Sequence, residues 1–213
     1  MKERGILMSG MNIAPILADI KIHTRRAMKS PASVVGFRHW HGRQWEQLDG
    51  EGRVLGMVNC PHGEAGDRLW VREAWRTDKG YDAYSPAQID SGATLFMLAD
   101  NCAHRINTSG PVEWGRYRHA RFMPRWASRI LLEITEIRVE RLQDISEADA
   151  KAEGIRLLRD GGGTFSGLSG PGKMVTPWMT AIEAYCDLWE SINGPGSWAE
   201  NPFVWVIIFR RIK

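Results

Sequence analysis

The sequence predicts a mixed α+β chain in which strands outnumber helices, arranged as a small mixed barrel. Three observations carry this. Apolar alternation of strand type recurs along the chain, each helical stripe is short or stands between distant strands, and no internal repeat of the βαβ kind is present. At 213 residues and 43% hydrophobic content there is material for one substantial core. We therefore expect a single domain over residues 1–213, with insertions at about 77–120 and 156–175.

The elements follow in order. Ile6-Leu7-Met8 reads as a first strand. Asn12 is placed to cap a helix whose apolar positions Ile13, Ile16, Leu17 and Ile20 follow i, i+3, i+4, i+7 spacing. That stripe stops at Ile20, and residues 22–28 are richer in β-branched and basic types, so the chain is expected to turn from helix to strand near Lys21. Val54 to Val58 and Arg68 to Trp75 read as strands, the second after a Gly66-Asp67 turn. From Thr77 to Pro124 the pattern dissolves into Asp, Gly, Ser and Pro with scattered aromatics, which predicts a surface insertion without a core of its own. Arg129 to Leu142 reads as a long strand, bulged near Ile134 to Ile137. Ser146 with Asp149 three residues on opens a short helix, and Gly154 stops it. Residues 160–173 are loop by composition. Thr176-Pro177 then reads as a helix start, followed by the stripe Trp178, Ile182, Tyr185, Trp189 and Ile192. Phe203 to Phe209 is an apolar run suited to a closing, buried strand.

Composition excludes several classes. Charged residues make up 25% and the formal net charge is +3, which argues against disorder and against a polyanion-coating protein. The charge is uneven, with eight basic residues against three acids in residues 1–48, so an anionic partner is expected on that quarter. No apolar run is long enough to span a membrane and the N-terminus lacks a signal-like pattern, so a cytoplasmic location is expected. Cys60, Cys102 and Cys186 are widely spaced and fit reduced thiols.

Several motifs are weighed against plainer readings. The loop GLSGPGKM, residues 167–174, nearly spells a phosphate-binding loop. It fails because Met174 stands where a hydroxyl is needed and Pro171 removes a backbone N–H. Cys60-x-His62 and Cys102-x-His104 would supply four zinc ligands, but the spacing is unusual, and two unrelated loop pairs is the preferred reading; no metal or other cofactor is expected. Between Glu113 and Glu133 there is no acid, while Arg116, Arg118, Arg121, Arg125 and Arg129 interleave with Trp114, Tyr117, Phe122 and Trp126. Phosphate-binding arginines beside stacking aromatics suit single-stranded nucleic acid, and a solvated basic face over core aromatics explains the pattern equally well.

The stretch LADIKIHTRR, residues 17–26, sets Lys21 three residues before Thr24 and flanks them with Arg25 and Arg26. A desolvated lysine beside a hydroxyl can serve as its base, although these residues alone read more simply as an exposed basic edge. Glu153 shifts that balance. It falls in the last turn of the Ser146 helix, where the helix dipole disfavours a carboxylate, and a cation such as Lys21 would offset the cost.

These segments resemble the ASCH domains, relatives of the PUA fold. The resemblance rests on the corner Leu17 to Arg26, the turn-strand Gly66-Asp67-Arg68-Leu69-Trp70-Val71-Arg72-Glu73, the segment Ile145 to Ile155 and the closing strand Val204 to Phe209, which occur in this order over most of the chain. MPRWASRI, residues 123–130, and LWESINGPGSW, residues 188–198, resemble a larger subgroup found in phages and prophages. The resemblance implies a PUA-like barrel of five or six strands with a cleft beside the first helix. It further implies an amidohydrolase acting on N4-acetylcytidine-like nucleosides, whose triad falls on Lys21, Thr24 and Glu153. Arg25, Arg26, Arg72, Glu73, Arg125 and Trp126 are the expected contacts to substrate or nucleic acid. A pyrimidine nucleoside, or single-stranded RNA or DNA, is the expected partner. The rival expectations are a non-catalytic reader of RNA or DNA and a single-strand ribonuclease of phage origin.

Overall fold

The structure, a computed structural model, describes residues 1–105, 110–158, 163–166 and 176–213, with the side chains of 102–105 left aside. Its centre is a five-stranded sheet. In chain order these strands are β1 (Glu3–Leu7), β2 (His23–Ala27), β6 (Arg68–Arg72), β10 (Leu131–Arg141) and β13 (Phe203–Arg211), and in space they run β1-β6-β10-β13-β2. The β1–β6 pair is parallel and the other three pairs are antiparallel. A three-stranded meander of β3 (Gly36–His41), β4 (Gln44–Leu48) and β5 (Val54–Asn59) stands beside it, and β7 (Trp75–Thr77), β8 (Leu95–Met97) and β9 (Cys102–Arg105) form a third sheet. The two-residue strands β11 (Arg156–Leu157) and β12 (Phe165–Ser166) pair with each other. The helices are α1 (Gly10–Leu17), α2 (Glu147–Ala152) and α3 (Ala181–Asn193). The chain is thus a mixed α+β fold dominated by sheet. Among the described residues, no helix is long and apolar enough to cross a membrane.

The apolar run of β13 is buried because both of its faces are covered. Phe203, Trp205, Ile207 and Phe209 join a core with Ile6, Ile13, Ile16, Leu69, Leu132 and Trp45, so α1 and the meander pack on that side. Val204 and Val206 face the other way, onto Leu142, Ile145, Ala150, Tyr185, Leu188 and Trp189 of the α2–α3 layer. The long partner strand β10 carries its bulge between Ile134 and Glu136, inside the stretch the sequence marks. The sheet's outer strands, β1 and β2, are linked through a side chain: the Arg26 guanidinium donates to the Leu7 carbonyl.

Four sequence expectations need correction. The first helix is capped at Ser9, not Asn12, and ends at Leu17. Asp19 then takes a φ of 54°, and the chain turns there into Lys21. The third helix starts four residues later than Thr176-Pro177 suggests, because Thr180 and Glu183 form a reciprocal capping box; Trp178 instead bridges Phe165 as an extended residue. The meander over 36–59 exceeds the single strand expected there. The segment after Thr77 also helps to build a core, where Ile89, Ala93, Leu95 and Met97 bury against Trp75, Met123 and Ala127. The phosphate-loop-like stretch 167–174 lies outside the described residues.

The α2 terminus sets up the site. The Ser146 hydroxyl accepts from the Asp149 N–H, and Gly154 leaves the helix at φ 100°. A Cβ on Gly154 would lie 3.0 Å from the Pro15 Cβ and 3.3 Å from the Lys21 Cβ. Gly154→Ala should therefore lower stability by at least about 1–2 kcal/mol, from the left-handed backbone and the crowding together. Denaturant melts of the two proteins check this, and equal midpoints would contradict it.

Candidate active site at the α1–β2 corner

Three elements converge on one cavity. The Pro15 carbonyl accepts both the Ile20 and Lys21 N–H groups, which fixes the corner after α1, and the Ile22 N–H donates to Ala152 at the end of α2. Lys21 therefore enters beside the α2 C-terminus. Its ammonium donates to the Glu153 carboxylate at 2.5 Å and to the Glu153 carbonyl at 2.8 Å. Lys21 is 2% exposed and Glu153 3%, so this is a buried pair. A carboxylate at a helix C-terminus is unfavourable, but here one cation satisfies both that carboxylate and an orphan carbonyl of the helix end.

Along β2 the side chains alternate between the two faces. His23 and Arg25 leave on one side, opposite Ile208 and Val206; Thr24 and Arg26 leave on the other, opposite Ile207 and Trp205. Arg25 consequently points toward α2, where its fully buried guanidinium meets Glu153 at 3.2 Å, Glu140 at 3.1 Å and Asp149 at 3.0 Å. Arg138 bonds the same Glu140 and Asp149. Thr24 is buried, and no hydrogen bond among the described residues engages its hydroxyl.

Lys21, Thr24, Arg25, Arg26 and Glu153 all line a cavity of about 80 Å³, together with Ser9 and Asn12 at the start of α1 and Tyr185 and Trp189 on α3. That volume holds several waters or a small acyl group, and it is below the roughly 300 Å³ at which pockets enclose whole drug-sized ligands. Burial pushes the Lys21 amine below its usual range, against the pull of Glu153. Burial pushes the Tyr185 phenol well above its ordinary value, with Glu153 adding to the effect, so the hydroxyl stays protonated. A neutral Lys21 would have two N–H bonds for the two Glu153 oxygens, leaving its lone pair in a third direction. That arrangement can take a proton from a hydroxyl or a water held in the cavity.

The sequence-expected site is only partly assembled. Lys21, Thr24 and Glu153 come together, and Arg26 joins them. Arg25 lines the cavity but its guanidinium is locked on carboxylates, so it is not placed to bind phosphate. Arg72, Glu73, Arg125 and Trp126 lie elsewhere. Arg72 stacks on Trp70 with 4.6 Å to the ring centroid. Glu73 is buried in a two-pronged pair with Arg129 at 2.8 and 2.9 Å. Arg125 pairs with Glu3, and Trp126 packs edge-on to Trp75. Of the Cys/His pairs, Cys60 is a buried free thiol, and the side chains of Cys102 and His104 lie outside the described set. Sequence reasoning missed Tyr185 and Trp189 as cavity residues, since helical spacing marks them only as a packing stripe. Comparison with family models, curated proteins and solved structures finds no match to the chain.

Two histidines near this region make stability pH-dependent. Burial, then Arg26 and Arg4, push the His62 imidazole down to about 4. Burial also lowers His23, whose Nδ1 lies 3.4 Å from Asp149 without a hydrogen bond. An unfolded histidine takes its proton near 6.5, so between that pH and about 4 the unfolded chain binds more protons than the folded one. Stability should be complete above about pH 6.5 and fall as the pH drops toward 4. His62→Gln should flatten part of that fall in urea titrations across this range; an unchanged slope would show that His62 titrates normally in the folded chain.

Proposed function

We propose that this chain is an ASCH-like, PUA-like protein whose central sheet curls toward a barrel, and that its cavity hydrolyses an amide substituent on a pyrimidine base, as in N4-acetylcytidine. The observation that carries the reading is the buried Lys21–Glu153 pair, set in one small cavity with the unengaged hydroxyl of Thr24. The barrel reading is supported by the Arg26–Leu7 link across the outer strands. The size of the cavity fits an acyl group entering while the base stays at the mouth.

In this mechanism neutral Lys21 removes a proton from Thr24, or from a water, and the oxygen attacks the acyl carbon. Tyr185 supplies an O–H donor and Arg26 an N–H donor to the oxyanion that forms. The bond from the acyl carbon to N4 breaks, and the leaving amine takes the proton that Lys21 removed. Where Thr24 is the nucleophile, water then releases the acid from it by the same route. Glu153 holds Lys21 through its backbone carbonyl and one carboxylate oxygen, and Arg25 holds the other carboxylate oxygen from behind. A reader that grips phosphate through Arg25 is disfavoured, because that guanidinium is already fully engaged with three carboxylates.

Purified protein incubated with N4-acetylcytidine should release cytidine and acetate in equal amounts, followed by chromatography. Lys21→Ala and Thr24→Ala should each lower kcat by about 10²-fold or more, and Tyr185→Phe by a similar factor with little change in KM. The rate should rise with pH along a limb set by Lys21, with a midpoint below the ordinary lysine value near 10.4. No release by the wild-type protein, or full activity in Lys21→Ala, would sink the reading.

A further inference from the structure

A second concave surface stands apart from the Lys21 cavity and shares no lining residue with it. It is a groove of about 370 Å³ lined by Pro86, Arg116, Tyr117, Arg118, His119 and Phe122. Tyr117 is 56% exposed and Phe122 57%, values unusual for side chains that could pack inward. The His119 ring stands edge-on to Tyr117 and accepts the Arg121 N–H, which fixes the local backbone. Arg118, also in the lining, is 4% exposed; its guanidinium lies over the Trp75 ring and donates to the carbonyls of Tyr81 at 2.6 Å and Tyr84 at 3.1 Å. Arg116 donates to the same Tyr84 carbonyl, and Arg121 lies against the Phe122 ring. These three cations thus meet carbonyl dipoles and a ring face, and among the described residues the groove lining contains no carboxylate. The nearest acid in their bonding is Asp82, which accepts the Arg116 backbone N–H.

Arg125 and Arg129, by contrast, are neutralised by Glu3, Glu73 and Asp100. The structure therefore divides the arginine-rich segment into a structural part, Arg118, Arg125 and Arg129, and a part with unbalanced charge beside open aromatic faces, Arg116 and Arg121. We propose that the groove of Tyr117 and Phe122 binds a single-stranded polynucleotide, with successive bases stacked on the two rings and phosphates met by Arg116 and Arg121, while the buried Arg118 holds the Tyr81 and Tyr84 carbonyls beneath the strand. Charge complementarity and sequence-tolerant stacking are what such a strand needs. Neither contact reads a sugar hydroxyl, so RNA and DNA strands are expected to bind alike.

The test is fluorescence anisotropy on the full chain with labelled ten-residue oligouridine and oligothymidine, and with an oligoglutamate of matched charge. Both oligonucleotides should bind, with affinity falling as salt rises from 50 to 200 mM. Tyr117→Ala and Phe122→Ala should each weaken binding by about tenfold or more, with melting temperatures unchanged. Arg116→Gln should shrink the slope of log affinity against log salt by about 0.7. The proposal is overturned if the wild-type chain binds neither oligonucleotide, if both aromatic variants bind as the wild type does, or if oligoglutamate binds as tightly as the oligonucleotides. Because none of these residues lines the Lys21 cavity, failure here leaves the hydrolysis of free N4-acetylcytidine standing, and loss of that hydrolysis leaves strand binding measurable.

Discussion

The contact between the Lys21 ammonium and Glu153 holds together everything around it. Taking an ammonium and a carboxylate out of water costs several kcal/mol for each ion, and attraction alone recovers this only when the remaining bonding capacity is also filled. Here it is filled from both sides. Lys21 has the carbonyl and the carboxylate of Glu153, and Glu153 has Arg25 on its second oxygen. The pair joins the corner after α1 to the end of α2, two places 132 residues apart in the chain. Neither helix could shift without exposing half of a buried ion pair. The backbone agrees with the side chains, since the Ile22 N–H reaches Ala152 and Gly154 passes close under Pro15.

Behind that pair the charges nearly cancel. Lys21, Arg25 and Arg138 face Glu153, Glu140 and Asp149, three cations against three carboxylates. Arg26 stands outside this balance. Its guanidinium reaches the Leu7 carbonyl and the Met8 sulfur, both neutral, so its charge is left to act on the cavity. The cavity is consequently cationic on one wall, while Lys21 and Glu153 sit in a neutral cluster. Negative charge developing on a bound carbonyl would meet an uncompensated positive field in a site from which most water is excluded.

The sequence revealed this structure unevenly, for physical reasons. β13 was readable because a strand covered on both faces must be apolar throughout, and α2 because Ser146 and Gly154 punctuate it chemically. The meander was not, since β3 (GFRHWH) is largely exposed and carries no alternation to detect. The start of α3 was misplaced because Thr176-Pro177 and Thr180-x-x-Glu183 are competing start signals, and the second closes two hydrogen bonds at once. In the site, Glu153 was legible as a breach of helix-end electrostatics. Tyr185 was not, because a tyrosine that packs and a tyrosine that faces a small cavity occupy the same helical spacing.

The distribution of arginine shows why composition alone misleads. Residues 1–48 hold eight basic residues against three acids, which suggests a surface field there. In the folded chain much of that surplus meets acids brought from far away: Arg4 pairs with Asp67, Lys21 with Glu153, and Arg25 with Glu140, Asp149 and Glu153. The opposite happens after Glu113. Five arginines stand there without a local acid, yet two find distant carboxylates and three make no ion pair among the described residues. Local charge counts therefore report where counter-charges are absent in sequence, whereas a ligand responds to where they are absent in space. Arg116 and Arg121, beside the exposed rings of Tyr117 and Phe122, are charges of the second kind, and the counting of acids along residues 1–48 does not point to them.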